Sequence, residues 1–230
     1  MRIARAMWAA VLAICLEIPD VVAQECGSSS DQKVGLVAAG AASDGGEGGF
    51  TELDGAWAVS TFERGDSTYA IVAARTDDGI QIVDVSDPSN PVAVSSATDG
   101  EGGFTELDGA IAVSTFERDG RTYAIVAAFH DDGIQLVDVS DPSNPVPVSS
   151  ATDGQGGFTT LRGPAAVSTF VRGGSTYAIV AAYSDDGIQL VDVSDPSSPV
   201  AVSSVINGQG GFTKLEYAAT VSTFVLGDST

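Results

Sequence analysis

The sequence is poor in the residues that do chemistry. It holds two cysteines, Cys15 and Cys26, and one histidine, His130, in 230 residues. Two cysteines cannot staple a disulfide scaffold. Basic residues are scarce: Lys plus Arg is 10 against 31 Asp plus Glu, a formal net charge of −21. A surface this acidic repels phosphate, which argues against a nucleic-acid partner. No Asn-x-Ser/Thr triplet occurs, so N-glycosylation is not expected. No apolar stretch approaches the length of a membrane span, and no transmembrane segment is expected. What is abundant is apolar residues (43%) and glycine (27), enough to bury a core and to turn the chain often.

The first residues have the three-part layout of a secretory signal peptide. Met1 to Arg5 is a short basic start, Ala6 to Leu16 an apolar run, and Val21-Val22-Ala23 a small-residue site before Gln24. The apolar run is shorter than the roughly 20 residues that cross a bilayer. The sequence predicts a signal peptide over 1–23, a linker over 24–36, and an exported protein working in the periplasm, outside the cell or at its surface. Leu12-Ala13-Ile14-Cys15 outlines a lipobox, but Ile14 is too large for the position before a lipidated cysteine. Cleavage after Ala23 removes Cys15 and leaves Cys26 with no partner in the chain, either free or paired with another chain.

The remainder is one unit repeated. Phe50, Phe104, Phe158 and Phe212 are spaced 54 apart; residues 50–103 match 104–157 at 45 of 54 positions, and 104–157 match 158–211 at 40. Such self-similarity marks a repeat architecture. Each unit reads as four short strands, in the first copy 56–63, 68–75, 80–85 and 92–97. The turns between them are Arg64-Gly65-Asp66-Ser67, Asp77-Asp78-Gly79 and Asp87-Pro88-Ser89-Asn90-Pro91. The second turn reads as a hairpin in which the glycine supplies the positive φ, and the third as a turn stiffened by proline. Strand two, Thr68 to Arg75, is almost continuously apolar, as expected of a sheet covered on both faces. The Ala, Ser and Val of strands one and two suit crowding round an axis. The pattern therefore predicts an all-β fold, a β-propeller of four-stranded antiparallel blades. A parallel β-helix is the runner-up, but its coils are shorter and lack antiparallel hairpin turns.

The segments Gly79-Ile80-Gln81-Ile82-Val83-Asp84-Val85-Ser86-Asp87-Pro88, 133–142 and 187–196 resemble the LVIVD repeat, a family named for its third-strand motif. The resemblance implies a propeller in an exported or cell-surface protein and supplies no catalytic residues to carry over. The unit differs from the usual repeat in its longer first hairpin and its Gly-rich join. At the ends, 37–49 align with a fourth strand and join, and 212–230 with the start of a unit. The expectation is an incomplete ring over 37–230, truncated in its last repeat, from a partial product of a longer gene.

Candidate sites come from the loops. Asp77-Asp78, Asp131-Asp132 and Asp185-Asp186, with Asp99, Glu101 and Asp153, are expected on one face of the disc. Clustered carboxylates suit calcium, but Asp before Gly is also plain turn chemistry. The copies favour the turn: Glu52 and Asp54 recur as Glu106 and Asp108 but become Thr160 and Arg162, then Lys214 and Glu216. No metal or other cofactor is therefore expected. His130, aligned with Thr76 and Ser184, reads as a solvated loop residue rather than a general base, and no catalytic constellation is found. The Gly-rich joins lack the Lys-Ser/Thr of a phosphate loop and read as tight crossings between blades, with Phe50 and its equivalents plugging the gaps. Trp57, Ile111 and Ala165 share one position, and Arg75, Phe129 and Tyr183 another. Such variation fits a binding surface or drift at a loosely packed place, and drift is the reading the sequence supports. The function expected is a non-enzymatic scaffold for an unidentified protein or carbohydrate partner. The alternatives are a propeller enzyme with its active site in blades outside this chain, or a structural, adhesive surface protein.

Overall fold

Alternation with a period of two is present in every repeat, and a computed structural model turns it into twelve strands. The structure describes residues 39–45 and 48–224. The expected signal peptide and linker, with Cys15 and Cys26, and residues 37, 38, 46 and 47 lie outside the described residues. Strands β1 (Ala56–Arg64), β2 (Ser67–Ala74), β3 (Gly79–Asp84) and β4 (Val92–Thr98) form the first blade. The second is β5 (Ala110–Arg118), β6 (Arg121–Ala128), β7 (Gly133–Asp138) and β8 (Val146–Thr152). The third is β9 (Pro164–Arg172), β10 (Ser175–Ala182), β11 (Gly187–Asp192) and β12 (Val200–Ile206). Each blade is a four-stranded antiparallel sheet with its strands in sequence order, and the blades form an unclosed propeller. No described helix is long and apolar enough to cross a membrane.

The alternating faces of one strand enter two different cores. Ile125 and Ala127 of β6 pack with Val167, Ala178 and Val180 of the third blade. Ala124 and Val126 of the same strand pack with Ile71, Ala73 and Ile80 of the first. Both faces of β6 are therefore buried, and a continuous apolar run is what such a strand requires. Phe104 and Phe158 close these two cores from the joins, each 5% exposed, as the sequence suggested. Phe212 follows the third blade and is 44% exposed. The joins turn through positive φ at Gly100, Gly102 and Gly103, a conformation costly for any residue with a Cβ.

The first strands meet along the axis through hydroxyls. Thr115 Oγ1 donates to the Thr61 carbonyl at 3.1 Å, and Ser60 Oγ lies 2.8 Å from Thr115 Oγ1. The step repeats between Ser114 and Thr169 at 2.9 Å and between Ser168 and Thr223 at 2.9 Å. Residues 212–224 contain no strand, yet Thr223 sits where the first strand of a further unit would continue this ladder. The described residues of 37–49 contain no strand either.

The third-strand motif is explained by its buried polar groups. Gln81 Nε2 donates to the Ser95 carbonyl at 2.7 Å, and its Oε1 accepts from the Thr51 and Glu52 amides. One side chain thus ties the join to β4, and Gln135 and Gln189 repeat the arrangement. Asp87 Oδ1 accepts from the Ser89 amide and hydroxyl. That bond fixes the Asp-Pro turn in addition to the prolines and holds the carboxyl below its usual range. One detail of the turn chemistry needs correction. The positive φ of the β2–β3 hairpin belongs to Asp78 (52°), not to Gly79. Aspartate tolerates this region better than most residues. Gly79 is needed for space: a Cβ there would lie 2.5 Å from Glu52 Oε2 and 2.6 Å from the Ala97 carbonyl.

Candidate functional site: an aromatic stripe across the blades

The paired aspartates of the β2–β3, β6–β7 and β10–β11 hairpins are structural clamps. The first of each pair holds its own blade: Asp77 Oδ2 accepts from the Asp54 amide at 2.7 Å, Asp131 from Asp108, and Asp185 from Arg162. The second grips the next blade. Asp78 Oδ1 accepts from the Gly109 amide at 2.8 Å, Asp132 from Gly163 at 2.7 Å, and Asp186 from Tyr217 at 2.7 Å. Asp99 and Asp153 brace the joins through the Leu107 and Leu161 amides. Burial pushes Asp77, Asp131 and Asp185 up; the amide bonds oppose it, and neighbouring carboxylates add to the rise.

Glu106 is the most perturbed of the acids. It is 8% exposed, with Oε1 accepting from Thr152 at 2.6 Å and Oε2 without a partner. Burial pushes its carboxyl up to about 7, against the lowering effect of Thr152 and with help from Asp131, Asp99 and Asp132. Glu52 has the same geometry in the first blade and is raised for the same reason.

His130 is half-exposed and engaged on both nitrogens. Nδ1 lies 2.9 Å from Asp108 Oδ1, and Nε2 lies 3.4 Å from Arg75 Nη2. These partners fit a ring that donates from Nδ1 and accepts at Nε2. Asp78, Asp108 and His130 place potential ligand atoms within 4.8 Å of one another, the one such group among the described residues. Each is already held by a protein group, and the guanidinium at His130 opposes a second cation.

The structure brings together what the sequence left scattered. Positions 57, 111 and 165 are β-bulges: Ala56 pairs with Ala74 and Ala58 with Ala73, leaving Trp57 between them, and Ile111 and Ala165 repeat the slip. A bulge re-aims its side chain. Trp57 is 62% exposed, and the Arg75 guanidinium lies 5.5 Å from its ring centre. The same guanidinium is 5.5 Å from the ring of Phe129 in the next blade. Phe129 is followed by Tyr183 at 6.3 Å and Tyr183 by Tyr217 at 5.1 Å. Five residues thus form one stripe that crosses all three blades. The sequence reading named four of them and took their variation for drift. It missed Tyr217, which stands where the other copies have Gly55, Gly109 and Gly163 and keeps their positive φ at 55°. A tyrosine at a glycine position was the signal. An open depression of about 360 Å³ lies elsewhere, between Thr61, Phe62, Glu63 and Thr115, Phe116, Glu117, with no nucleophile and base paired in its lining.

Several solved structures are similar to part of this chain. A protein of unknown function from Desulfotomaculum acetoxidans is 12% identical, with 67% of this chain and 43% of that one covered and a TM-score of 0.50. The periplasmic gluconolactonase PpgL of Pseudomonas aeruginosa is 15% identical, with 64% and 39% covered and a TM-score of 0.47. An exo-beta-1,3-galactanase from Clostridium thermocellum is 13% identical, with 66% and 35% covered and a TM-score of 0.46. The chain spans less than half the length of each. Among curated proteins, none matches the sequence. The LVIVD repeat model matches residues 67–99, 122–153 and 168–206, one match in each blade. The third-strand motif, its buried glutamine and the antiparallel blades are all in place, and the chain belongs to the LVIVD repeat family.

Proposed function

We propose that this protein is an exported, non-enzymatic propeller that serves as a binding scaffold, and that its contact surface is the stripe from Trp57 to Tyr217. The observation that carries the reading is the unbroken run of neighbouring rings. Exposed aromatic side chains at 62%, 38% and 59% (Trp57, Tyr183, Tyr217) are held in line by hairpins clamped between blades. Rigid aromatics on a fixed frame are what tight contacts are built from, since little side-chain entropy is lost when they are covered. The apolar signal-like segment at 1–23 supports the location.

The test is a mixed array of oligosaccharides and of basic, acidic and neutral peptides, probed with the protein and with a Trp57→Ala/Tyr183→Ala/Tyr217→Gly variant. Ala165 stands at the position equivalent to Trp57 and Gly163 at that equivalent to Tyr217, and Tyr183 is an exposed side chain, so the variant is expected to melt with the parent. The protein is expected to retain at least one ligand class that the variant loses. Identical binding patterns for the two proteins remove the stripe as the contact surface.

A further inference from the structure

We infer that the stripe is a docking track for an extended basic peptide carrying arginine at every second position; this rests on the stripe being the contact surface. The first argument is charge. The chain carries −21, and the loops beside the stripe add Asp54, Asp77, Asp108, Asp131 and Asp185. Two guanidiniums stand at the stripe or beside it, and both are engaged within the chain. Arg75 lies between two rings and against His130, and Arg162 lies 3.7 Å from Asp185 and donates to the Ser184 carbonyl. A cationic partner therefore meets a net negative surround, with Arg75 the one point of the track that opposes it.

The second argument is that the protein demonstrates the contact on itself. In the first blade the stripe position is arginine, and its guanidinium lies over the Phe129 ring at 5.5 Å. That is cation–π distance. In the second and third blades the same position is a ring, Phe129 and Tyr183, with Tyr217 beyond. These rings have no further guanidinium of the chain over them among the described residues. Arg75 thus shows how an arginine from outside would be received one blade further along.

The third argument is spacing. Successive rings are 6.3 and 5.1 Å apart. In an extended peptide, side chains on one face recur about every 6.6 Å, two residues at roughly 3.3 Å each. The Phe129–Tyr183 spacing matches that repeat and the Tyr183–Tyr217 spacing falls about 1.5 Å short, a difference that a long arginine side chain spans, so one arginine per ring follows, with the residues between them turned away.

The experiment uses the full chain with Trp8→Phe, so that Trp57 is the one tryptophan and its fluorescence reports the stripe directly. It is titrated at about 0.15 M salt, where distant charges are screened. The probes are Arg-Ser-Arg-Ser-Arg-Ser, the block isomer Arg-Arg-Arg-Ser-Ser-Ser, the lysine analogue of the first, and a neutral oligosaccharide. The alternating arginine peptide is expected to shift Trp57 emission and to bind about tenfold tighter than its block isomer. Tyr183→Ala/Tyr217→Gly is expected to abolish that preference, in line with the loss of two ring contacts. Equal binding of the two isomers, unchanged in the variant, means general electrostatic attraction and overturns the inference. Stripe-dependent binding of the oligosaccharide without binding of any peptide also overturns it, while leaving the stripe as the contact surface. If no probe perturbs Trp57, the inference fails, and the array decides separately whether the stripe binds anything else.

Discussion

At the scale of the residue, each buried carboxylate has a distinct place in the fold. Glu106 is held as an acid whose ordinary value of 4.5 rises to about 7 on folding. Between those values the folded state binds more protons than the unfolded one. Its favourable contribution is therefore complete below pH 4.5 and is lost as the pH climbs through 7. The full difference is up to about 3 kcal/mol. Glu106→Gln, which copies the protonated form, is expected to raise the melting temperature by several degrees at pH 8 and to change it little at pH 5. Calorimetry of both proteins at the two pH values checks this, and equal differences at pH 5 and pH 8 would contradict it. The third blade has Thr160 at this position, and so lacks the dependence. Gly133 belongs to the same arrangement, because a Cβ there would lie 1.9 Å from Glu106 Oε2.

At the scale of the element, the β6–β7 hairpin does two things at once. It reverses the chain through Asp132 at a φ of 54° and binds the next blade through that residue's carboxylate. The two roles separate by substitution. Asp132→Gly keeps the backbone conformation and removes the acceptor, leaving the Gly163 amide without its partner. A loss of about 1–3 kcal/mol is expected in urea unfolding. Asp132→Asn keeps a side-chain oxygen and is expected to lose less than half of that. If glycine is tolerated as well as asparagine, the clamp does not hold the blades. Legibility differed here in a specific way. The sequence showed a turn at Asp77-Asp78-Gly79 and placed its strands to within a residue. The carboxylate's target, an amide 31 residues on, was not in any local pattern.

At the scale of the whole molecule, stability resides in the gaps between blades. Phe158 fills one such gap between the second and third blades, whereas Phe212, at the same position of the repeat, is 44% exposed. Phe158→Ala is expected to cost about 3–5 kcal/mol and Phe212→Ala under about 1 kcal/mol, measured by urea unfolding of the full chain. Comparable losses would mean that the blades are not joined through these rings. The outer faces of the arc carry exposed apolar residues, Val59 on the first blade and Val202 on the third. Blades within the arc cover the equivalents of such residues, as Val113 in the second blade shows at 8% exposure.

What the sequence determined alone is the part governed by nearest neighbours along the chain. Alternating apolar residues set the strands, Asp, Gly and Pro set the turns, and a 54-residue period set the blades. The strands and turns depend on φ/ψ preference and on burial with a period of two, which any one copy displays, and the period on comparing the copies. The tertiary structure decided what the differences between copies do. Trp57, Arg75, Phe129, Tyr183 and Tyr217 stand at two positions of the repeat in three copies and at a third position in the last. They touch only because each blade is set beside the one before by clamped hairpins and paired hydroxyls. Contact across that step is a property of blade packing, which no single repeat contains.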